Sequence, residues 1–155
     1  MNLEQLVPLL GKSERDEAVK AMLDFFGTQK TLPRPKRGEE DVYVELPEHK
    51  MEFVFTLAES CKTYKPDYLE GELIFHTLFF WPNEEDIARN IPLPLGVEIQ
   101  ANPDEQIKRL GSPEDGNPRL YLFRWGFDGL KLFLTYRKDE KTLRQVTYAF
   151  DDGCV

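Results

Sequence analysis

The spacing of apolar residues changes along the chain and separates helical from strand-like segments. Near the N-terminus, apolar residues recur every three or four positions in two short stretches: Leu3, Leu6, Val7 and Leu10, then Ala18, Val19, Met22, Leu23 and Phe26. Pro8 limits the first helix, and Gly11 and Gly27 are suited to end the two helices. Ser13 has the chemistry of a cap for the second helix. This segment predicts a helical hairpin.

After a loop at residues 31–40, which holds two prolines and a glycine, the period becomes two. Residues 42–46 and 51–57 alternate apolar and polar positions around the turn PEHK, which predicts an antiparallel hairpin with one wetter face. Residues 72–81 contain LIFHTLFFW, which is apolar on both faces. We expect this third strand to be central in the sheet or covered on its second side.

The second half has a similar order. An acidic connector at residues 82–90 and a proline-containing extended stretch at 91–99 lead to a well-marked helix start. Asn102 caps this helix, Pro103 takes its first position and Glu105 completes a capping box. Ile107 and Leu110 are expected to face inward, and Gly111 to end the helix. After the predicted loop EDGNP, strands follow at 120–127, 130–137 and 143–150, the first two joined by an Asp-Gly turn.

Each half therefore consists of a helix ending in glycine, a proline-containing loop and a three-stranded meander. A small sheet with one apolar face needs a covering layer, which one helix can supply. The pattern predicts an α+β fold in which two helix-plus-meander repeats form a curved sheet with the helices packed on one face. Residues 1–155 are expected to form a single compact domain, with pseudo-repeats at about 1–81 and 92–151.

Charge narrows the class of partner. The chain has 28 acidic and 20 basic residues, a net charge of -8, and so lacks the excess of cations that nucleic-acid binding requires. A negative net charge attracts basic protein surfaces. The alternative is that it only keeps the protein soluble. No apolar run reaches the length of a membrane span, and the N-terminus does not resemble a signal peptide. Cys61 and Cys154 lack metal-binding or redox spacing, so a reducing cytoplasm is expected.

Catalytic and metal-binding patterns do not stand out. His49 lies in a turn, His76 lies within a strand, and no nucleophile elbow, phosphate loop or dinucleotide fingerprint occurs. The acidic runs 39–40, 84–86 and 151–152 do not follow a calcium-loop spacing. We therefore predict a protein that is not an enzyme and carries no cofactor or metal.

The second face of the sheet is the predicted binding surface, since aromatic and charged residues share it. The second half places on it Arg124, Lys131, Phe133, Thr135, Arg137 and Thr147, and the first half places on it Glu52, Val54, Thr56, His76, Leu78 and Phe80. An alternative is that a loop or the N-terminal helix covers this face. Trp81, followed by Glu84, Glu85 and Asp86, is a second candidate for gripping a basic partner, unless Trp81 belongs to the core.

Residues 91–114 and 123–150 resemble the C-terminal half of bacterial immunity proteins from polymorphic toxin systems, and residues 6–27 resemble the start of such proteins. The shared features mark turns and core positions: Leu93, Pro94, Leu95 and Gly96; Leu110, Gly111 and Pro113; Trp125; Gly129 and Leu130; Val146 and Thr147. The same helix-Gly-x-Pro meander is similar to repeats in β-lactamase-inhibitor-like proteins and in outer-membrane assembly lipoproteins. Residues 62–69 and 33–40 match no such pattern.

This resemblance implies an antidote that binds a cognate protein toxin and blocks its active site. Charge suggests that the toxin is basic. The alternative is a non-catalytic adaptor or inhibitor of another bacterial enzyme. The partner-binding residues predicted from the sequence are Glu52, His76, Trp81, Glu84, Glu85, Asp86, Arg124, Lys131 and Phe133.

Overall fold

One open antiparallel sheet organises the protein. The computed structural model describes residues 1–28, 32–61, 67–117 and 121–151. In these ranges the strands are β1 (Asp41–Leu46), β2 (Met51–Leu57), β3 (Leu73–Phe80), β4 (Asp115–Asn117), β5 (Leu122–Phe127), β6 (Leu130–Tyr136) and β7 (Leu143–Phe150). The α-helices are α1 (Leu3–Leu6), α2 (Glu17–Phe25), α3 (Glu84–Ala88) and α4 (Pro103–Leu110). The predicted α+β class is confirmed.

The strand order is β1-β2-β3-β7-β6-β5-β4, and every neighbouring pair is antiparallel. The two meanders meet where β3 pairs with β7, from Thr77 opposite Ala149 to Phe80 opposite Val146. The prediction that β3 is central to the sheet is confirmed. Each meander thus protects one edge of the other, which leaves β1 and the short β4 as the sheet edges in the described part of the chain.

A single large apolar cluster lies between the helices and one face of the sheet. It includes Val19, Met22 and Leu23 of α2, and Phe53, Phe75 and Tyr148 of the strands. Ile107 and Leu110 of α4 pack against this cluster and are partly buried, which confirms the inward placement expected for them. The fully buried residue of α4 is Gln106, whose side chain donates to the carbonyl of Glu98.

The N-terminal segment enters the sheet before it forms α2. The Gly11 N–H donates to Phe75 O over 2.8 Å, and Glu14 N–H donates to Leu73 O over 2.8 Å. Ser13 forms an isolated antiparallel bridge with Ile74. The prediction that Ser13 caps α2 is therefore wrong, because its backbone is used in sheet pairing. Asp16 is the cap, and its carboxylate accepts from Ala18 N–H.

Two elements were not predicted. The acidic connector contains α3, whose N-cap Asn83 forms a capping box with Asp86. The predicted loop EDGNP contains β4, which pairs with β5. Such short elements bury few apolar side chains and so leave little periodicity to detect. Leu120, predicted to begin a strand, and Cys154 lie outside the described residues, as do residues 62–66.

None of the helices within the described ranges is both long and apolar enough to cross a membrane.

Candidate binding face of the sheet

The sheet face turned away from the helices carries a continuous cross-strand row of directly paired side chains. In order from β1 to β4 the row is Glu45, Glu52, Phe79, Thr147, Phe133, Arg124 and Asp115. Directly opposed residues in antiparallel strands point to the same face and lie close enough to interact. The row therefore has carboxylates at the β1–β2 side, aromatic rings in the middle, a guanidinium beyond them and a further carboxylate, Asp115, at the β4 end.

A second row runs parallel to the first and consists of Tyr43, Val54, Thr77, Ala149, Lys131 and Gly126. On the other side of the first row, Gln145 opposes Thr135, which opposes Leu122. Between β3 and β5 these rows form a groove of about 520 Å³. Its lining combines Phe79, Phe133 and Leu122 with threonine hydroxyls and two cations, Arg124 and Lys131.

A β-bulge in β3 decides which aromatic residue reaches the groove. Val54 opposes Thr77 but the next residue, Phe55, opposes Phe75, so His76 is an extra residue in β3. His76 and Thr77 both line the groove, and the His76 Nδ1 lies 2.8 Å from the Thr77 Oγ1. Beyond the bulge, Phe79 faces the groove. The placement of Leu78 and Phe80 on this face is therefore wrong, since both are buried in the core.

Arg124 and Lys131 supply the charge within the groove. Arg124 Nη2 lies 3.7 Å from Asp115 Oδ2, and Lys131 Nζ lies 3.7 Å from Asp151 Oδ1. Both contacts are ion pairs, at distances longer than a hydrogen bond. The Arg124 Nε atom is buried and has no hydrogen-bond partner among the described residues. The predicted positions of Arg124, Lys131 and Phe133 on one face agree with the structure.

Glu45 and Glu52 form a like-charged pair on β1 and β2. They are directly opposite each other, and neither makes an ion pair with a described residue. Partial burial, and then the Glu45 carboxylate, raise the pKa of Glu52 above its ordinary value. Like charges directly opposed across strands are destabilising, so a cation placed there by a partner would be favourable.

Trp81 lies at the rim of the groove and is 37% exposed, so the alternative of a core position is wrong. Its ring stacks on that of Phe79 with centroids 5.8 Å apart, and its Nε1 donates to Gln145 Oε1 over 3.1 Å. These contacts hold an aromatic side chain in a fixed orientation beside the groove. An oriented, half-exposed tryptophan is suited to contact a partner.

The carboxylates of α3 have separate roles. Asp86 accepts a hydrogen bond from Lys50 Nζ over 2.7 Å and also forms the capping box of α3 with Asn83. Glu84 and Glu85 are exposed, and Glu85 lies 3.4 Å from Arg89 across one helical turn. Of the predicted acidic triplet, only Glu84 and Glu85 therefore remain accessible as a surface charge.

Part of the binding face is covered at the far end of β2 and β3. Ala58, Cys61, Tyr68 and Ile74 form a second buried cluster. Ile74 pairs with Thr56, which is itself buried. Val54 is buried as well, so neither Val54 nor Thr56 is available at the surface, although the alternation places both on this face. The groove between β3 and β5 stays open, as does the β1 side of the face, where Tyr43 and Glu45 are exposed.

The residues of this face that were missed in the sequence include Phe79, Leu122 and Glu45, and also Thr77, Gln145, Ala149 and Phe150 of the groove lining. Nothing in the residue types of β3 marks the bulge, so Phe79 could not have been placed. Glu45 was detectable, because the four-residue connection between Leu46 and Met51 sets Glu45 opposite Glu52. Within the described ranges, no group of three or more His, Cys, Asp or Glu residues could hold a metal ion.

No known family model matches the chain, and no curated protein matches it. Among solved structures, the chain is similar to a DUF4309 family protein, YjgB, from Bacillus subtilis. The two are 13% identical, with a TM-score of 0.40 over 84% of this chain and 76% of the other. A likeness this distant carries no argument about function.

Proposed function

We propose that the protein is an immunity-type antidote, which binds a cognate toxin domain and blocks access to its active site. The observation that carries this proposal is the open sheet face with its groove between β3 and β5. Most of a sheet in a small protein must be covered to bury its apolar side chains. Here the aromatic residues Phe79, Phe133 and Trp81 stay accessible on a rigid support.

The composition of this face suits a protein partner. Aromatic anchors beside arginine, with a polar rim around them, are the features that concentrate binding energy in protein interfaces. Antiparallel pairing from β2 to β6 holds these side chains at fixed spacings. Little conformational entropy is then lost on binding, which favours a tight complex.

The charge supports a basic toxin. The net charge of -8 attracts a basic surface over a distance, and exposed Glu84 and Glu85 add to this attraction close to Trp81. The like-charged Glu45–Glu52 couple offers a position where a lysine or arginine of the toxin would relieve repulsion. Inhibition then follows from steric exclusion, which requires no chemistry from this protein.

The test is complex formation with a toxin domain found to be encoded beside this gene, followed on gel filtration and by protection of cells that express that toxin. We expect the wild-type protein to bind and to protect. Phe133→Asp should abolish both, because it places a charge among the aromatic rings of the groove. Phe25→Asp is the matched control, because Phe25 is an exposed phenylalanine on α2.

Absence of both a complex and protection with the wild-type protein would refute the antidote function. A complex with a different bacterial enzyme, which this protein inhibits, would instead support the adaptor or inhibitor alternative. A complex that Phe133→Asp leaves intact would show that binding uses another surface.

A further inference from the structure

We propose that the groove binds a short segment of the partner protein in which a carboxylate side chain stands next to an aromatic or aliphatic one. The carboxylate is bound by Arg124 and Lys131, and the apolar neighbour packs between Phe79 and Phe133. This inference rests on the proposed function and states what the toxin must present at the groove.

The charged side chains of the groove are opposite in sign to the net charge of the protein. The protein has a net charge of -8, yet the charged side chains lining the groove are the cations Arg124 and Lys131, with no Asp or Glu among the described residues that line it. A cationic groove in an acidic protein is complementary to an acidic ligand group. Asp115 and Asp151, which lie 3.7 Å from these cations, are outside the groove lining.

Both cations of the groove are largely shielded from solvent. The Arg124 side chain is only 19% exposed and that of Lys131 only 14%, whereas Asp115 and Asp151 are 68% and 40% exposed. The buried Arg124 Nε lacks an acceptor among the described residues, which costs free energy that a suitable ligand can recover. A carboxylate matches the fork of the guanidinium when that side chain turns toward the groove.

Aromatic side chains lie beside the cations in the groove. Phe133 directly opposes Arg124, and Phe79 lies in the same cross-strand row. A ligand carboxylate at Arg124 therefore has aromatic surface immediately beside it. The volume of about 520 Å³ is in the range of sites that bind a few side chains. The groove thus selects an acidic residue flanked by an apolar one.

One carboxylate on an otherwise basic toxin surface would fix the orientation in which the two proteins bind. Long-range attraction between an acidic antidote and a basic toxin brings the surfaces together without choosing an orientation. The contact between a single toxin carboxylate and the cations of the groove forms in one orientation of the complex and does not form in the others. The groove then provides specificity, and the surrounding carboxylates provide rapid association.

The experiment is titration calorimetry of the full-length protein with the cognate toxin domain. The variants are Arg124→Gln, Lys131→Gln and the double substitution, with Lys108→Gln on α4 as the matched loss of one exposed positive charge. We expect each groove variant to weaken binding at least tenfold and the control to change it less than twofold. Arg124→Lys keeps the charge and loses the fork, and should also weaken binding.

The second arm replaces each Asp and Glu of the toxin surface with Asn or Gln. One substitution should weaken binding in the wild type and have no further effect in Arg124→Gln, which identifies the bound carboxylate. Wild-type affinity in folded Arg124→Gln and Lys131→Gln would overturn this inference and leave the antidote function intact. Absence of any complex would overturn both. Tight binding of free hydrocinnamate would overturn the choice of a partner segment as occupant.

Discussion

At the residue scale, Gly11 shows how a single backbone position joins the N-terminal segment to the sheet. Its φ of 86° is in the left-handed region, which favours glycine. A Cβ at this position would lie 2.8 Å from Cδ2 of Phe150 in β7. Its carbonyl also accepts a hydrogen bond from Tyr68 Oη over 2.5 Å. Gly11 therefore combines a required conformation with a close contact.

Gly11→Ala should lower the free energy of unfolding by about 2–4 kcal/mol, because backbone strain adds to a clash with a buried ring. Urea denaturation measures this difference. Gly27→Ala is the control, since Gly27 has a φ of 66° and an added Cβ would meet no heavy atom within 4 Å beyond its chain neighbours. It should lose about 1 kcal/mol from strain alone. Equal losses in the two variants would contradict a steric role for Phe150.

Glu72 is a buried carboxylate that connects the same segment to the start of β3. It accepts hydrogen bonds from Arg15 Nε over 2.6 Å, from Leu69 N–H over 2.6 Å and from Ser13 Oγ over 3.0 Å. Burial by itself would raise the pKa of Glu72, but these hydrogen bonds outweigh it and lower the pKa below its ordinary value. The ionised form is therefore the stabilising one.

A group whose pKa is lowered by folding contributes stability above its unfolded pKa and loses that contribution as the pH falls through the folded value. Glu72→Gln should therefore be less stable than the wild type at pH 7, and the difference should shrink below about pH 4. Chemical denaturation at several pH values measures it. Glu17→Gln, at an exposed site on α2, is the control for the loss of one carboxylate charge. A constant difference at all pH values would be inconsistent with this account.

At the scale of elements, the bulge at His76 lets β3 place Phe75 and Leu78 in the core and His76 and Thr77 at the groove. Phe75 and Leu78 both point into the core, although two residues separate them instead of one. Without the extra residue, only one residue would separate Phe75 from Leu78, and regular alternation would place both on the core face. The bulge also places His76 and Thr77 together at the groove.

Deletion of His76 should therefore be tolerated, because it removes the bulge and leaves Phe75 and Leu78 on the core face. We expect a folded protein with a cooperative thermal transition at reduced Tm. Deletion of Phe133 from the regular part of β6 is the comparison. It shifts the strand by one residue, so the β6 residues on one side of the deletion move to the opposite face of the sheet. Circular dichroism melting distinguishes the two. Unfolding of the His76 deletion to the same degree would argue against this interpretation of the bulge.

At the scale of the whole molecule, charge is distributed unevenly across the binding face. The paired carboxylates Glu45 and Glu52 lie on the β1–β2 side, the cations of the groove lie on β5 and β6, and Asp115 adds one carboxylate at the β4 edge. Exposed charges act over a distance and are screened by salt, while the partly buried Arg124 and Lys131 act at contact. The proposed complex should therefore show different salt responses in its association and dissociation rates.

The association rate constant with the toxin domain should fall about tenfold between 20 and 500 mM NaCl, with a smaller change in the dissociation rate. Replacing Glu84 and Glu85 together with glutamine should lower the association rate at low salt. Glu17→Gln and Glu4→Gln together remove the same charge from the helical side and serve as the control. Stopped-flow fluorescence of Trp81 can follow the reaction. An association rate that salt leaves unchanged would contradict electrostatic steering.

The sequence by itself determined the elements whose signals are local. The capping box at Asn102, the Asp128-Gly129 turn and the alternation in β1 are set by neighbouring residues, and each appears in the structure as predicted. Alternation also placed Arg124, Lys131 and Phe133 on one face, because β5 and β6 pair regularly there. The division into pseudo-repeats and the toxin-binding function stay predictions.

Tertiary structure decided what depends on distant partners. Ser13 pairs with Ile74 and so cannot cap α2, and β4 exists as a strand because β5 offers it an edge. Because of the bulge at His76, the binding face carries Phe79 and not Phe80, which the alternation predicted there. The register of β3 follows from its pairing with β2 and β7. Which face is open also depends on coverage by elements far away in sequence. Local pattern sets the alternation of a strand, but only pairing and packing determine where each side chain points.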